Sequence, residues 1–209
     1  MSAEPERRRP DISAEQVRAL REATGAGMMD CKRALQDAGG DSARATELLR
    51  ERGLASVAKR SGRAANEGVV QSYIHFNNRV GVLVEVNCET DFVANTDEFK
   101  ELAKDVALHI ASARPRWLVR EDVPTEDIQT ERKVYEAQAR EQGKPENVLE
   151  RIVEGKLSAF YKDSVLSDQP FVKDDSKTIG ELADEVSAKV GEKVMVRRYA
   201  RFELGEELG

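Results

Sequence analysis

At 209 residues the chain is long enough for one medium domain, or for a small domain joined to a larger one, and it can bury a core without disulfide staples. Charged residues make up 34% of it, aromatics 5%, and the net charge is -6; this is the composition of a soluble protein with much exposed helix and argues against nucleic-acid binding across the whole surface. Residues 1–66 carry 13 Lys or Arg against 10 Asp or Glu and the remainder 20 against 29, so a mildly basic front precedes an acidic body.

The first ten residues, MSAEPERRRP, lack the apolar centre of a secretion signal, and no later stretch approaches the roughly 20 apolar residues of a membrane span. A cytoplasmic protein with a loose tail at residues 1–10 is the expectation. Residues 11–53 read as three short helices. Ser13 and Gln16 have the spacing of a capping box, Val17 and Leu20 give the apolar face, and Gly25 stops the first helix. The second runs from about Met28 to Ala38 with Cys31, Ala34 and Leu35 on one face. The third begins at Asp41, buries Ala45, Leu48 and Leu49, and is expected to end at Gly53.

From Arg52 to Ala65 the stretch RGLASVAKRSGRAA carries basic residues and no acidic one. Its apolar residues are too sparse for a second core, so it reads as a partly helical basic linker, with contact to RNA or an acidic partner as the other reading. The β-branched run GVVQSYIHFNNRVGVLVEVNCE then predicts a hairpin over 68–89. Asn77-Asn78 suits a two-residue turn, and Val80, Val82, Val84, Val86 and Cys88 share one face. A helix capped by Asn95 or Thr96 follows, with Phe99, Leu102, Ala103, Val106 and Ile110 at helical spacing, and it should pack on the valine face.

Residues 124–162 predict two antiparallel helices around GKPEN, and Thr178 with Glu181 opens a last helix that ends at Gly191. A final strand should place Val194, Val196, Ala200, Phe202 and Leu204 on one face, with Arg197, Tyr199 and Arg201 on the other. It should complete a three-stranded antiparallel sheet with the hairpin. The fold class expected is α+β.

No phosphate loop, HExxH or GxSxG motif is present. Cys31 and Cys88 stand far apart without metal-ligand spacing and read as buried free thiols, and a Cys88–His75 nucleophile pair lacks a third orienting group. Gly25 and Gly27 lie between helices and not after a strand, so they make an interhelical turn and not a nucleotide cradle. Met28 and Met29 cannot both face the interior of a slim bundle, so one should be exposed to a partner. Phe92, at the strand-to-helix junction NCETDFVAN, is either a core plug, the commoner fate of an aromatic, or a group offered to another protein. Periodicity leaves both open.

TGAGMMDCKRAL at residues 24–35 and VNCETDFVAN at residues 86–95, together with GKP, EGK, QPFVKDDSKT and RRYARFELG, closely resemble the signatures of the bacterial elongation factor Ts family, in family order over nearly the whole chain. The resemblance implies a guanine-nucleotide exchange factor for the GTPase elongation factor Tu, without covalent chemistry or cofactor. It implies a three-helix ubiquitin-associated-like domain at 11–54, a basic linker at 55–66, a core of the dimerisation type at 67–123 and 163–209, and a protruding helical hairpin inserted at 124–162. In the family the Asp-Phe pair of TDFV wedges beside the nucleotide and magnesium site of the GTPase. Thr90, Asp91, Phe92 and Val93 match that motif, while Arg21, Met28, Met29 and His75 match further contacts. Longer members hold two copies of the sheet unit, and this chain compresses them into one, so a homodimer with facing sheets is implied. No membrane and no direct nucleic-acid partner is expected. The rival readings are a dimeric adaptor with a peptide-binding three-helix module, which leaves TDFV without a task, and an RNA-associated protein using Arg52–Arg63.

Overall fold

The structure, a computed structural model, describes residues 12–207; the tail expected at 1–10 lies outside the described residues. These residues divide into two compact units, residues up to 64 with 184–193 and residues 65–183 with 194 onward.

The first unit carries helices α1 (Ala14–Thr24), α2 (Met28–Asp37) and α3 (Ser42–Arg60). Ser13 Oγ accepts the Gln16 N–H and Gln16 Oε1 accepts the Ser13 N–H, a reciprocal box that satisfies two donors left open at the start of a helix. Gly25 turns the chain out of α1 at φ 68°, where any side chain would be strained. Val17, Leu20, Cys31, Ala34, Leu35 and Ala45 close the core, with Leu48 and Leu49 against it.

Gly53 does not end α3, which continues to Arg60. The expected linker at 55–66 is therefore divided between that helix, a short turn and the approach to the first strand. The reason is a partner distant in sequence. Arg60 is buried, donates from Nη1 to Ser187 O at 2.8 Å and Glu192 O at 3.4 Å, and bonds Ser56 through Nη2. Residues 184–193, expected to belong wholly to the core, thus group with the N-terminal helices. One of the basic charges assigned to a solvated connector is consumed inside the unit.

In chain order the second unit carries β1 (Glu67–Ile74), β2 (Val80–Cys88), α4 (Asp91–Ala94), α5 (Asp97–Ala113), α6 (Thr125–Glu141), α7 (Glu146–Ser164), β3 (Pro170–Phe171), β4 (Asp174–Thr178), the start of α8 (Ile179–Val190) and β5 (Met195–Glu203). The α+β class holds. β1, β2 and β5 form an antiparallel sheet in the order β1–β2–β5. Val82, Val84, Val86 and Cys88 are buried on its inner face, where α5 packs with Phe99, Leu102, Ala103, Val106 and Ile110 buried. Thr96 caps α5 by accepting the Phe99 N–H. β1 and β2 are joined by five residues, His75–Arg79, and not by the expected two-residue turn; within them only Asn78 takes the left-handed conformation, at φ 55°.

β5 departs from its expected facing. The register passes from Val86↔Val196 to Glu85↔Arg198, so Arg197 bulges out and the alternation inverts beyond it. Tyr199 and Arg201 pair with the buried Val84 and Val82, while Ala200 and Phe202 pair with Leu83 and Gly81 on the outer face. Phe202 and Leu204, expected to share a face with Val194, are exposed, whereas Val194 is buried.

A Cβ at Gly68, φ 149°, would lie 2.1 Å from Val86 O in the paired strand. Gly68→Ala is expected to cost at least about 2 kcal/mol, read as a lower urea midpoint at unchanged slope.

α6 and α7 lie side by side, with Ala139, Leu149, Val153 and Leu157 buried. The β3–β4 pair was not expected from the sequence. It carries Gln169 and Val172 nearby, which lock the buried His109: His109 Nε2 lies 3.0 Å from Gln169 Oε1, and the Val172 N–H points at Nδ1 at 3.3 Å. Gln169 Nε2 donates in turn to Asp163 O and Ala113 O, joining the ends of α5 and α7. This arrangement suits a neutral ring that donates from Nε2 and accepts at Nδ1.

Burial, partly opposed by the bond to Gln169, holds the His109 pKa below that of a free histidine. The unfolded chain therefore binds a proton below about pH 6.5 that the folded chain resists. Stability contributed by His109 is complete above that pH and falls as pH drops from there toward the lowered folded value, by at most about 1.4 kcal/mol per pH unit. Urea titrations at pH 7.5, 6.5 and 5.5 should show a smaller acid loss in His109→Gln than in the wild type; equal losses would remove this role.

Candidate functional site

β2 ends at Cys88, paired with Glu67 at the open end of the hairpin, and the chain passes through an extended Thr90 (φ −131°, ψ 155°) into the single turn of α4. Thr90 Oγ1 accepts the Val93 N–H at 3.4 Å, the usual service of a threonine cap. Of the four residues of α4 only Ala94 is buried; Val93 is half-buried and Asp91 exposed. Phe92 is 81% exposed. The inward position of the turn is filled by a small alanine, so the phenyl ring is displaced to solvent. That removes the core-plug reading.

His75 follows β1 at the closed end of the same hairpin, where its N–H donates to Val80 O at 2.9 Å. Its Nδ1 lies 3.0 Å from Tyr73 Oη, and its ring lies 4.4 Å from that of Phe76. The nine residues of β2 separate it from α4 by about 25–30 Å of strand at about 3.3 Å per residue. His75 and Phe92 therefore do not form one site within a chain, nor can His75 act on Cys88, which is fully buried. Phe76, 88% exposed beside His75, was missed; its place in a hairpin loop with no strand face to occupy was the available signal.

In the first unit Arg21 lies exposed in the last turn of α1, and Met28 and Met29 begin α2 after the Gly25–Gly27 turn. Both methionines are exposed, at 54% and 64%, where one was expected. The buried side of α2 starts only at Cys31.

The outer face of the sheet is a further surface that the expected facing of β5 concealed. Val70, Ile74, Leu83 and Phe202 are each at least half exposed there, with Ala200 and Gly81 between them. Among the described residues no group of three His, Cys, Asp or Glu is placed to hold a metal ion, and no helix is long and apolar enough to cross a membrane.

The profile of the family described as Elongation factor TS matches residues 41–206. The chain belongs to the elongation factor Ts family. The elongation factor Ts of Thermoanaerobacter sp. (strain X514) is 55% identical over 195 residues, 93% of this chain and 96% of that relative. That of Carboxydothermus hydrogenoformans is 56% identical over 197 residues, 94% of this chain and 91% of that relative. A third, from Anaeromyxobacter sp. (strain Fw109-5), is 56% identical over 198 residues, 95% of this chain and 90% of that relative. The family resemblance read from TGAGMMDCKRAL and VNCETDFVAN is thereby established, and with it a place in translation elongation; the peptide-binding adaptor is not favoured. Thr90–Val93 and His75 fall inside the profile span, while Arg21, Met28 and Met29 precede it.

Proposed function

We propose that the chain binds elongation factor Tu and accelerates its exchange of GDP for GTP, with Asp91-Phe92 as the pair inserted beside the magnesium and nucleotide site. The observation that carries this reading is Phe92, an aromatic 81% exposed on a one-turn helix, since an isolated exposed aromatic on an ordered element is the usual anchor of a protein interface. Thr90 and Val93 shape the turn, while Arg21, Met28, Met29 and His75 are further contacts. The factor needs no covalent chemistry and no cofactor. A protein that weakens the hold of the GTPase on GDP must itself be held more weakly while GDP is bound, and an excess of GTP then sets the direction of exchange in the cytoplasm.

The helices of the first unit serve as a ubiquitin-associated-like module and α6–α7 as a projecting hairpin in this reading. The exposed Val70, Ile74, Leu83 and Phe202 of the outer sheet face support a homodimer in this reading: two such faces packed about 10 Å apart cover these side chains, and bring the His75 end of one chain into an assembly with the Phe92 turn of another. The deciding experiment is release of labelled GDP from elongation factor Tu by the wild type, Phe92→Ala and the buried control Leu102→Ala. A folded Phe92→Ala that retains full acceleration would overturn the reading.

A further inference from the structure

Phe92 lies 81% open to solvent, so packing of its own ring does not fix the direction in which it points. α4 has four residues, and a helix that short is unfavourable in water, because the first turn loses more conformational freedom than its few hydrogen bonds return. Its backbone is nevertheless tied at three carbonyls, each of which accepts two bonds. Thr90 O accepts the Ala94 N–H at 3.2 Å and the Cys88 thiol at 3.1 Å. Asp91 O accepts the Asn95 N–H at 3.1 Å and Asn95 Nδ2 at 3.0 Å. Val93 O accepts the Thr96 N–H at 3.0 Å and Thr96 Oγ1 at 2.8 Å.

The three carbonyls flank Phe92 on both sides, and their second partners are the buried Cys88 at the end of β2 and the exposed Asn95 and Thr96 of the turn that joins α4 to α5. Both lone pairs of each oxygen are engaged, so the peptide planes around Phe92 cannot rotate without breaking a side-chain bond as well as a backbone one.

We propose that Cys88, Asn95 and Thr96 are positioning residues that hold Phe92 in its inserting conformation before the partner arrives. The inference rests on the reading of Phe92 as the inserted group. Ordering of the turn is then met during folding and not during association, which favours binding of the partner without altering the docked state. The effect belongs in the concentration of factor needed, not in the release rate of the saturated complex.

Asn95 provides the sharpest test, because it is exposed and Asn95→Asp keeps its shape while removing the donor to Asp91 O. Asn95→Asp and Asn95→Ala are expected to raise the half-saturating factor concentration in GDP release about five- to tenfold, with the saturated rate within about twofold of wild type. Amide hydrogen exchange at residues 93–96 of the free factor should quicken about tenfold while the thermal midpoint stays unchanged. Cys88→Ala should act in the same direction, and Cys88→Ser, which keeps a donor, should restore most of the loss. An unchanged half-saturation in the Asn95 variants, or a fall in saturated rate alone, overturns the positioning role while leaving the Phe92 reading in place. A folded Phe92→Ala with full activity overturns both.

Discussion

Phe92→Ala is expected to reduce acceleration of GDP release from elongation factor Tu by about 30- to 700-fold at saturating factor. Truncation of a central aromatic anchor costs about 2–4 kcal/mol, and where its contacts exist only in the nucleotide-displaced complex, each 1.4 kcal/mol lost is about tenfold in rate. The same substitution should leave the factor folded. The ring is 81% exposed, and substitutions at such positions change stability by about 0.5 kcal/mol or less. Leu102, 3% exposed beneath the sheet, gives the opposite pattern: Leu102→Ala should lose about 2–5 kcal/mol of stability through the cavity it opens, yet accelerate release normally below its melting range. The pair separates a lost contact from a lost fold, and stopped-flow release with a fluorescent GDP analogue reads both.

The second large effect concerns the outer sheet face. Leu83→Asp together with Phe202→Asp is expected to convert a micromolar dimer to monomer, weakening association by at least about a thousandfold. In a two-fold interface each change occurs twice. Each of these side chains contributes about 1.5–3 kcal/mol when fully buried, and a carboxylate in its place adds the cost of a buried charge. The fold should survive, because Leu83 and Phe202 face away from the core, at 50% and 67% exposure. Sedimentation equilibrium of the wild type and the double variant decides the matter. A wild type that sediments only as monomer at micromolar concentration removes the dimer, and a double variant that still dimerises moves the interface elsewhere.

Reconstruction of the molecule from its sequence succeeds where the cause is local. The Ser13–Gln16 and Thr178–Glu181 boxes form as their spacing requires. The alternation of Val82, Val84 and Val86 delivers a buried strand face, and the helical spacing of Phe99 to Ile110 supplies the helix that covers it. Each follows from the periodicity of one element. The candidate site was legible only as a position: NCETDFVAN reads as a strand running into a helix, but whether its phenyl ring turns in or out depends on which residue of the turn fills the inward slot.

The remaining departures share a cause in partners remote along the chain. α3 runs past Gly53 because Arg60 finds its hydrogen bonds at residues 187 and 192, about 130 positions away, where no local window can see them. β5 inverts after Arg197 because its pairing with β2 admits one extra residue, and a single bulge exchanges the two faces of everything beyond it. What the sequence determined by itself was the family, the elements and the composition of the Asp91-Phe92 turn, since caps, periods and motifs are written within a few residues. Only the tertiary structure decided that Phe92 points to solvent, that Phe202 joins Leu83 on an uncovered sheet face and that His109 is locked by Gln169. Burial and facing are properties of pairs of segments, set by register and by which side chain first occupies the interior.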